Sequence, residues 1–175
     1  MPNEVAKEVF DMNFQKCTQN SMAALQDAQR IAAENGQQEI REEHLLLALL
    51  KQDSGLVGEL FVKLGIPQAD AVRDTQNLID SMPKVSGANG QVYISEELNT
   101  ALNEAESRAE SMQDSFVSVE HLLMGLIIKP DRSLKQYFKQ HDLSLDRLLT
   151  VLKDVRGTQH VNTDNPEATY DVLKK

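Results

Sequence analysis

Two histidines are the residues of this sequence whose type and setting could support chemistry. His44 and His121 each follow a glutamate and precede two leucines, in the stretches EEHLLLALL and VEHLLMGLI. A pair of imidazoles could act as a general acid and base or hold a metal ion. Alternatively, each ring lies near the start of a core helix and forms local hydrogen bonds, as most buried polar groups do. We expect the second arrangement.

Cys17 is the only cysteine, and its thiol is a candidate nucleophile. It lies beside the predicted start of a helix, where the helix dipole can lower the pKa of a thiol. No histidine is close in sequence to serve as its base, so we interpret Cys17 as a small buried plug. A lone cysteine forms no internal disulfide, and the N-terminus lacks the pattern of a signal peptide. Both features favour the cytoplasm.

Motifs for nucleotide and metal chemistry are missing from the sequence. It contains no GxxxxGK[ST] phosphate loop, no GxGxxG and no HExxH. No cysteine and histidine cluster has the spacing of metal ligands. We therefore expect no catalytic residue, no metal site and no cofactor in this chain. The net charge of −9 argues against nucleic acid as a partner, and the apolar run at residues 45–50 is too short to span a membrane.

The elements that position these residues occur as an internal sequence repeat. A shift of 77 residues aligns His44 with His121 and, without a gap, aligns small and apolar positions in both halves. The aligned stretches include ALQDA with ALNEA and HLLLALL with HLLMGLI. Because the matches fall on positions that packing selects, we predict two units of the same fold.

Each unit has the periodicity of four short helices. In the first helix, apolar residues from Met22 to Ala32 share one face, Thr18 is the expected N-cap and Gly36 the expected stop. Pro67 is expected at the first position of the fourth helix, and Pro130 separates the sixth helix from the seventh. Neither unit has enough apolar surface to be stable alone. We therefore predict an all-α domain of eight helices, in which two pseudo-twofold-related repeats share one core.

The predicted boundaries follow from turn residues and composition. Residues 1–11 are an N-terminal extension, residues 12–157 the eight-helix domain, and residues 158–175 a polar linker towards a further module. Within the domain, repeat one covers residues 12–82, repeat two covers residues 92–157, and a glycine-containing loop at 83–91 joins them. Gln91 to Ile94 is the only stretch expected to be extended.

The repeated unit resembles the Clp N-terminal domain of the Clp ATPases. The resemblance is carried by ALxxAxxxA, followed by [IV]xxEHLL, at residues 24–46 and again at residues 101–123. It covers roughly residues 12–175. The segment PKVSGANGQVYISEEL and the ending NPEATYDVLKK are most similar to the ClpB-type disaggregases within this family. Cys17 departs from the pattern, since a large apolar residue is common at that position.

The resemblance implies a domain that binds and does not react. The full-length family member is a hexameric AAA+ ATPase that threads aggregated polypeptide through a pore with the Hsp70 chaperone system. ATP and Mg act in ATPase modules outside this chain. The N-terminal domain, expected to be a monomer when isolated, would bind apolar segments of unfolded or aggregated proteins and pass them to the pore. The alternative is the N-terminal domain of a protease-coupled Clp unfoldase, which docks a folded adaptor protein.

Five residues are expected to contact such a client. Thr18, Asp114 and Glu120 match positions associated with client handling in ClpB-type domains, and the resemblance alone assigns them that role. Ile31 and Met112 are candidates for exposed apolar contacts. We expect a shallow groove with polar residues at its rim. Burial of roughly 200–400 Å² of client would then give an affinity in the micromolar range or weaker.

Overall fold

The computed structural model describes residue 10 and residues 14–53, 55–85, 92–157 and 159–166. Within these ranges the chain forms a short 3₁₀ helix, eight α-helices and two strands of two residues each. Repeat one contains the 3₁₀ helix Phe14–Lys16, α1 (Gln19–Glu34), β1 (Glu39–Ile40), α2 (Glu42–Leu50), α3 (Leu56–Lys63) and α4 (Gln68–Asp80). Repeat two contains β2 (Tyr93–Ile94), α5 (Glu96–Ser111), α6 (Val119–Ile128), α7 (Arg132–Gln140) and α8 (Leu145–Arg156).

Hydroxyl side chains begin the first helix of each repeat. Thr18 Oγ1 accepts a hydrogen bond from the Ser21 amide at 3.1 Å. Ser95 Oγ accepts one from the Leu98 amide at 3.0 Å. Each bond satisfies an amide that has no partner within its own helix, so both predicted N-caps are confirmed.

The helix ends also lie close to the predicted positions. Gly36, just after α1, has φ of +70°, and Gly157, which ends α8, has φ of +63°. Glycine adopts this left-handed conformation without steric cost. Pro67 is the N-cap of α4 and not its first helical residue, because its ψ of 140° lies outside the helical region. The predicted start of α4 is therefore one residue too early.

Short parallel backbone pairings cross between the repeats. Ile40 at the end of β1 pairs with Ile94 of β2, just before the first helix of repeat two. Val117 in turn pairs with Cys17, just before the first helix of repeat one. A shift of 77 residues converts one pairing into the other. In both cases, the residue three positions before the glutamate–histidine pair of one repeat pairs with the segment just before the first helix of the other repeat. This exchange is the pseudo-twofold relation predicted from the repeat.

One hydrophobic core joins the two repeats. Every residue of α2 is buried, and so are the residues of α6 from Val119 to Leu126. Helix α6 packs on α5, α7 and α8 of its own repeat and also on α1, α2 and α3 of the other. A single cluster of buried apolar residues runs from α1 to α8. Separating the repeats would expose this surface to water, so the prediction of a single eight-helix domain is confirmed.

Residues in both predicted flanking segments pack against the domain. Phe10, in the predicted N-terminal extension, is 1% exposed and belongs to the core. Val161 is 0% exposed, although it lies in the predicted linker. Residues 159–166 of the predicted linker lie on the domain, held by the buried residues Val161 and Pro166 and by several hydrogen bonds. The rest of both segments lies outside the described residues.

Gly125 allows the close approach of α6 to α5, which leads to a first prediction. A Cβ atom at this position would overlap the backbone carbonyl oxygen of Ala101 in α5. Backbone cannot move as cheaply as a side chain, so we expect Gly125→Ala to lower the free energy of unfolding by about 3 kcal/mol. Urea denaturation followed by circular dichroism would measure the change.

Gly58→Ala is the matched control for this prediction. A Cβ atom at Gly58 meets the side chain of Gln68, with the nearest atom at 2.9 Å, and that side chain can rotate away. We expect its cost to stay below about 1 kcal/mol, because alanine also favours the helix. Equal losses for the two variants would contradict the tight contact between α5 and α6.

Candidate binding site

In repeat one, the predicted histidine is held inside the first turn of α2. The Arg41 amide donates to His44 Nδ1 at 2.8 Å, so the ring hydrogen lies on Nε2. Nε2 lies 2.6 Å from Oε1 of Gln37, which accepts that hydrogen. Burial, together with the charge of Arg41, lowers the pKa of His44 to about 4. The ring is therefore neutral near pH 7.

Repeat two reproduces this arrangement with one change. The Ser118 amide donates to His121 Nδ1 at 2.9 Å, and Nε2 of the same ring lies 2.7 Å from Oδ2 of Asp114. Both nitrogens of each ring are thus engaged in local hydrogen bonds, as predicted. The described part of the chain contains no group of three or more His, Cys, Asp or Glu residues that could hold a metal ion.

Asp114 occupies the position of Gln37 in the other repeat and builds a charged network. Its Oδ1 binds Nη2 of Arg156 and accepts the Val161 amide at 2.8 Å. Nη1 of Arg156 lies 3.5 Å from Oε2 of Glu120. All of these side chains are buried, so two carboxylates in the interior of repeat two hold one guanidinium.

The network keeps Asp114 charged. Burial by itself would raise the pKa of this carboxyl. Hydrogen bonds from His121, the Val161 amide and Arg156 outweigh burial and lower the pKa to about 2. The carboxylate is therefore ionised across the physiological range and fixes Arg156 in place.

The three client positions implied by the resemblance lie near one another, but none forms a rim. The Thr18 amide donates to the carbonyl oxygen of Val117 at 3.0 Å, and Val117 lies between Asp114 and Glu120 in the chain. All three residues are buried. The expectation of a polar rim is therefore wrong, because Thr18 caps a helix at the junction of the repeats while the two carboxylates hold Arg156.

The two apolar candidates have different surroundings. Ile31 is 6% exposed, because this face of α1 packs on the core. The expectation that Ile31 is available at the surface is therefore wrong. Met112 is half-buried at the C-terminal end of α5 and lines a surface groove.

This groove is the best candidate for a binding site. It has a volume of about 300 Å³ and a mostly apolar lining. The residues that line it are Met112, Leu149, Leu152, Lys153, Arg156, Gly157, Gln159 and His160. We call it the α8 groove. Nη1 of Arg156 is buried on the Glu120 side of the guanidinium, so Arg156 lines the groove as part of the network and not as an exposed donor.

Sequence reasoning missed Arg156, which connects the groove to the buried network. Its one signal is a basic residue in the last turn of α8, where cations commonly serve the helix dipole. Periodicity alone could not show that its partners are Asp114 and Glu120, because these lie in other elements.

A second cavity, of about 200 Å³, lies between the repeats and is polar. Its lining consists of Glu39, Arg41, Glu43, Met82, Ser95, Glu97, Asp131, Arg132 and Ser133. Burial, with a hydrogen bond to Asp131, raises the pKa of Glu43 to about 9. The neighbouring Glu42 accepts the Asp131 amide at 3.1 Å, and burial raises its pKa to about 9 as well. Both carboxyls are therefore protonated near pH 7, so this cavity is less acidic than its composition indicates.

Cys17 is a buried plug, as predicted. Its side chain belongs to the core cluster and is 2% exposed. Burial, followed by the charge of Glu106, raises the pKa of the thiol to about 12. The reactive thiolate is therefore scarce near pH 7.

Two crossed helical repeats around buried histidines, with an apolar groove at one end, define the class of an all-helical, two-repeat domain. The sequence pattern of the Clp repeat (R) N-terminal domain matches residues 16–141, so the chain belongs to that family. Among the described residues, no helix is long and apolar enough to cross a bilayer.

Within the family, several similar curated relatives are ClpB chaperones. The chaperone protein ClpB of Nitratidesulfovibrio vulgaris is 38% identical over 168 residues, and that of Bdellovibrio bacteriovorus is 34% identical over 158 residues. These matches cover 94% and 90% of this chain but only 19% and 18% of the relatives. The chain thus spans about one fifth of the length of the ClpB chaperones it matches.

Solved structures share the fold. The Hsp104 N-terminal domain from Candida albicans has a TM-score of 0.75 at 21% identity, covering 86% of this chain and 97% of that one. The N-terminal domain of ClpD from Arabidopsis thaliana gives 0.63 at 23% identity, with coverages of 81% and 97%. That of ClpV1 from E. coli gives 0.66 at 21% identity, with coverages of 79% and 84%. Similarity at this level of identity supports the architecture and leaves function to be argued from the site.

Glu43 and Glu120 occupy equivalent positions in the two repeats. We nevertheless expect substitution by glutamine to change the free energy of unfolding in opposite directions at the two positions. The folded-state pKa of Glu43, about 9, exceeds its usual value of 4.5. Its contribution to stability is thus present below pH 4.5 and is lost as the pH rises towards 9. At pH 8, Glu43→Gln should raise the free energy of unfolding by about 1–3 kcal/mol, since the amide is neutral and still donates to Asp131.

Glu120→Gln should lower the free energy of unfolding, by about 3 kcal/mol, because Arg156 loses one of its buried partners. Chemical denaturation of both variants at pH 5 and pH 8 would measure these changes. The gain for Glu43→Gln should shrink at pH 5. A loss of stability for Glu43→Gln at pH 8 would show that its carboxyl is ionised in the folded state.

Proposed function

We propose that this chain is the client-binding N-terminal domain of a ClpB-type chaperone, and that the α8 groove receives apolar segments of unfolded or aggregated proteins. The observation that carries the proposal is the mostly apolar groove with a buried guanidinium among its lining residues. The name of the ClpB relatives supports a chaperone role but does not locate the site.

The groove suits an extended polypeptide. Met112 and Leu149 are half-buried, so each keeps apolar surface that a client side chain can cover. The guanidinium of Arg156 closes the inner side of the groove and is held there by Asp114 and Glu120. Burial of roughly 200–400 Å² at about 25 cal/mol/Å² yields several kcal/mol before entropy is subtracted, so net binding is weak. Weak binding lets a client leave for the pore.

The predicted site residues then have different roles. Met112 contacts the client directly. Asp114 and Glu120 hold Arg156 in the groove, and Thr18 fixes the crossing of the repeats behind it. Ile31 supports α1 from within the core and contacts no client in this conformation.

The remaining functions belong to parts of the chaperone outside this chain. We propose that ATP and Mg²⁺ drive threading in ATPase modules, that the full-length protein assembles as a hexamer, and that it works with the Hsp70 system in the cytoplasm. This domain contributes capture and delivery, without a chemical step of its own.

Docking of a folded adaptor is the alternative function. Stable interfaces between folded proteins bury about 800 Å² on each partner, which is a larger surface than the α8 groove offers. The two functions differ in whether the partner must be unfolded to bind.

Leu149→Glu should weaken client binding about tenfold, because it places a charge on the apolar wall of the α8 groove. The client is reduced, carboxymethylated α-lactalbumin, which stays unfolded, and fluorescence anisotropy gives its Kd. Native α-lactalbumin should not bind. Met112→Ser should weaken binding several-fold and provides a second, uncharged test of the same wall.

Val72→Glu is the matched control. Val72 is the repeat-one equivalent of Leu149, and it is likewise half-buried. It should leave the Kd unchanged, and thermal melts would confirm that all variants are folded. Equal weakening by Leu149→Glu and Val72→Glu would place the site elsewhere, and preference for the native protein would favour the adaptor alternative.

A further inference from the structure

The chain after α8 returns and lies against the domain as an extended segment. We call residues 159–164 the strap. Val161 uses both of its backbone groups, since its amide donates to Asp114 Oδ1 at 2.8 Å and its carbonyl accepts from Ser115 and Phe116 at 2.8 and 3.3 Å. Its side chain is completely buried. These contacts fix the backbone of Val161, which lies outside any helix or strand, against residues 114–116.

Both ends of the strap are also attached. At its start, the carbonyl of Gln159 accepts from Arg156 Nε at 2.9 Å, and Gln159 lines the α8 groove. At its end, the carbonyl of Asp164 accepts the Gln19 amide at 2.7 Å in the first turn of α1. The Asp164 carboxylate accepts from the Gln19 side chain at 3.2 Å. The strap thus runs from the groove to the junction of the repeats.

The strap is held mainly by hydrogen bonds, which include one between His160 Nδ1 and the carbonyl of Met112 at 3.1 Å, and by a single buried side chain. Val161 is its only residue with a buried side chain; His160, Asn162, Thr163 and Asp164 are exposed. Ordering six residues costs conformational entropy at each one, while one small apolar side chain and a few hydrogen bonds oppose that cost. The strap therefore belongs to the part of the fold that can detach without unfolding the core.

We propose that the strap is an internal occupant of the client site, which an extended client segment displaces. The incoming segment places a Val- or Ile-like side chain in the buried position that Val161 occupies in the strap, which we call the seat. The amide of that client residue donates to Asp114, and the carbonyl of the same residue accepts from the Ser115 and Phe116 amides, as Val161 does in the strap. This inference rests on the proposed function, and it names the class of client segment: extended, with a β-branched apolar residue between polar neighbours.

The same geometry connects the seat to the α8 groove. Arg156 binds Asp114 in the seat, donates to Gln159 in the strap and lines the groove. A client that spans the groove and the seat therefore removes the Gln159 contact as it enters. The backbone of the client would be bound by hydrogen bonds that do not depend on its side chains, while the seat would favour side chains of the size and shape of valine.

Weakening the strap should tighten client binding. In the full chain, we expect Val161→Ser to lower the Kd for reduced, carboxymethylated α-lactalbumin by about 3- to 10-fold, because the site is then open in a larger fraction of molecules. Asp164→Ala loosens the far end of the strap without touching the seat, and it should act in the same direction with a smaller change. Asn162→Ser, at an exposed strap position, is the control and should leave the Kd unchanged.

The strap sequence supplied in trans tests occupancy of the seat directly. A peptide of residues 158–168, TQHVNTDNPEA, should bind the Val161→Ser chain and compete with the client. The same peptide with Asp in place of its valine should not. Hydrogen exchange adds a signature of displacement: client binding should accelerate exchange of the Val161 amide in the unmodified chain, while the Ser115 amide stays protected by its new partner.

The outcomes separate this proposal from the function on which it rests. If the unmodified chain binds the client and neither Val161→Ser nor Asp164→Ala binds it more tightly, the strap is structural and the proposed function stands. If no variant binds the client, both proposals fail. If weakening the strap tightens binding while Leu149→Glu has no effect, the seat of Val161 is the site and the α8 groove is not. Protection of the α2 amides would show that each variant retains its core.

Discussion

The structure depends on the exchange of backbone pairings between the two repeats. All nine residues of α2 are buried, and one four-helix repeat has no surface that could cover such a helix on every side. Pairing of Ile40 with Ile94, and of Val117 with Cys17, brings each repeat onto the other at the points where α1 and α5 begin. The buried faces of α2 and α6 then cover each other, and neither repeat can leave without exposing both.

The two repeats differ in structure where this symmetric frame changes at one position. Gln37 and Asp114 are equivalent, and each satisfies the Nε2 atom of its histidine. The amide completes a neutral network in repeat one. The carboxylate carries a charge that cannot be buried without a partner, so it recruits Arg156 from α8 and the amide of Val161. The groove and the strap therefore both lie at the end of repeat two.

Features that depend on the internal repeat or on helical periodicity could be predicted from the sequence, and features without either signal could not. The eight helices, the N-caps Thr18 and Ser95, the shared core and the local bonding of both histidines follow from spacing within each unit. The prediction that Ile31 is exposed was wrong. Periodicity shows which face of a helix is buried, but it does not show how far neighbouring elements cover that face. The strap escaped prediction because Val161 is a single apolar residue among polar ones, without any period. The pairings across the repeats span two residues or fewer, which is too short for an alternation signal.

The proposed displacement of the strap also bears on how tightly a client would bind. In that proposal the strap competes from within the chain, so it would lower the affinity for every client by the same factor and leave the ranking of clients to the Val161 position and the groove. Release would benefit from the same competition, because the strap would return as a client segment leaves. Arg156 is central to this exchange, since the buried carboxylates keep its guanidinium in place whether its outer partner is the strap or a client.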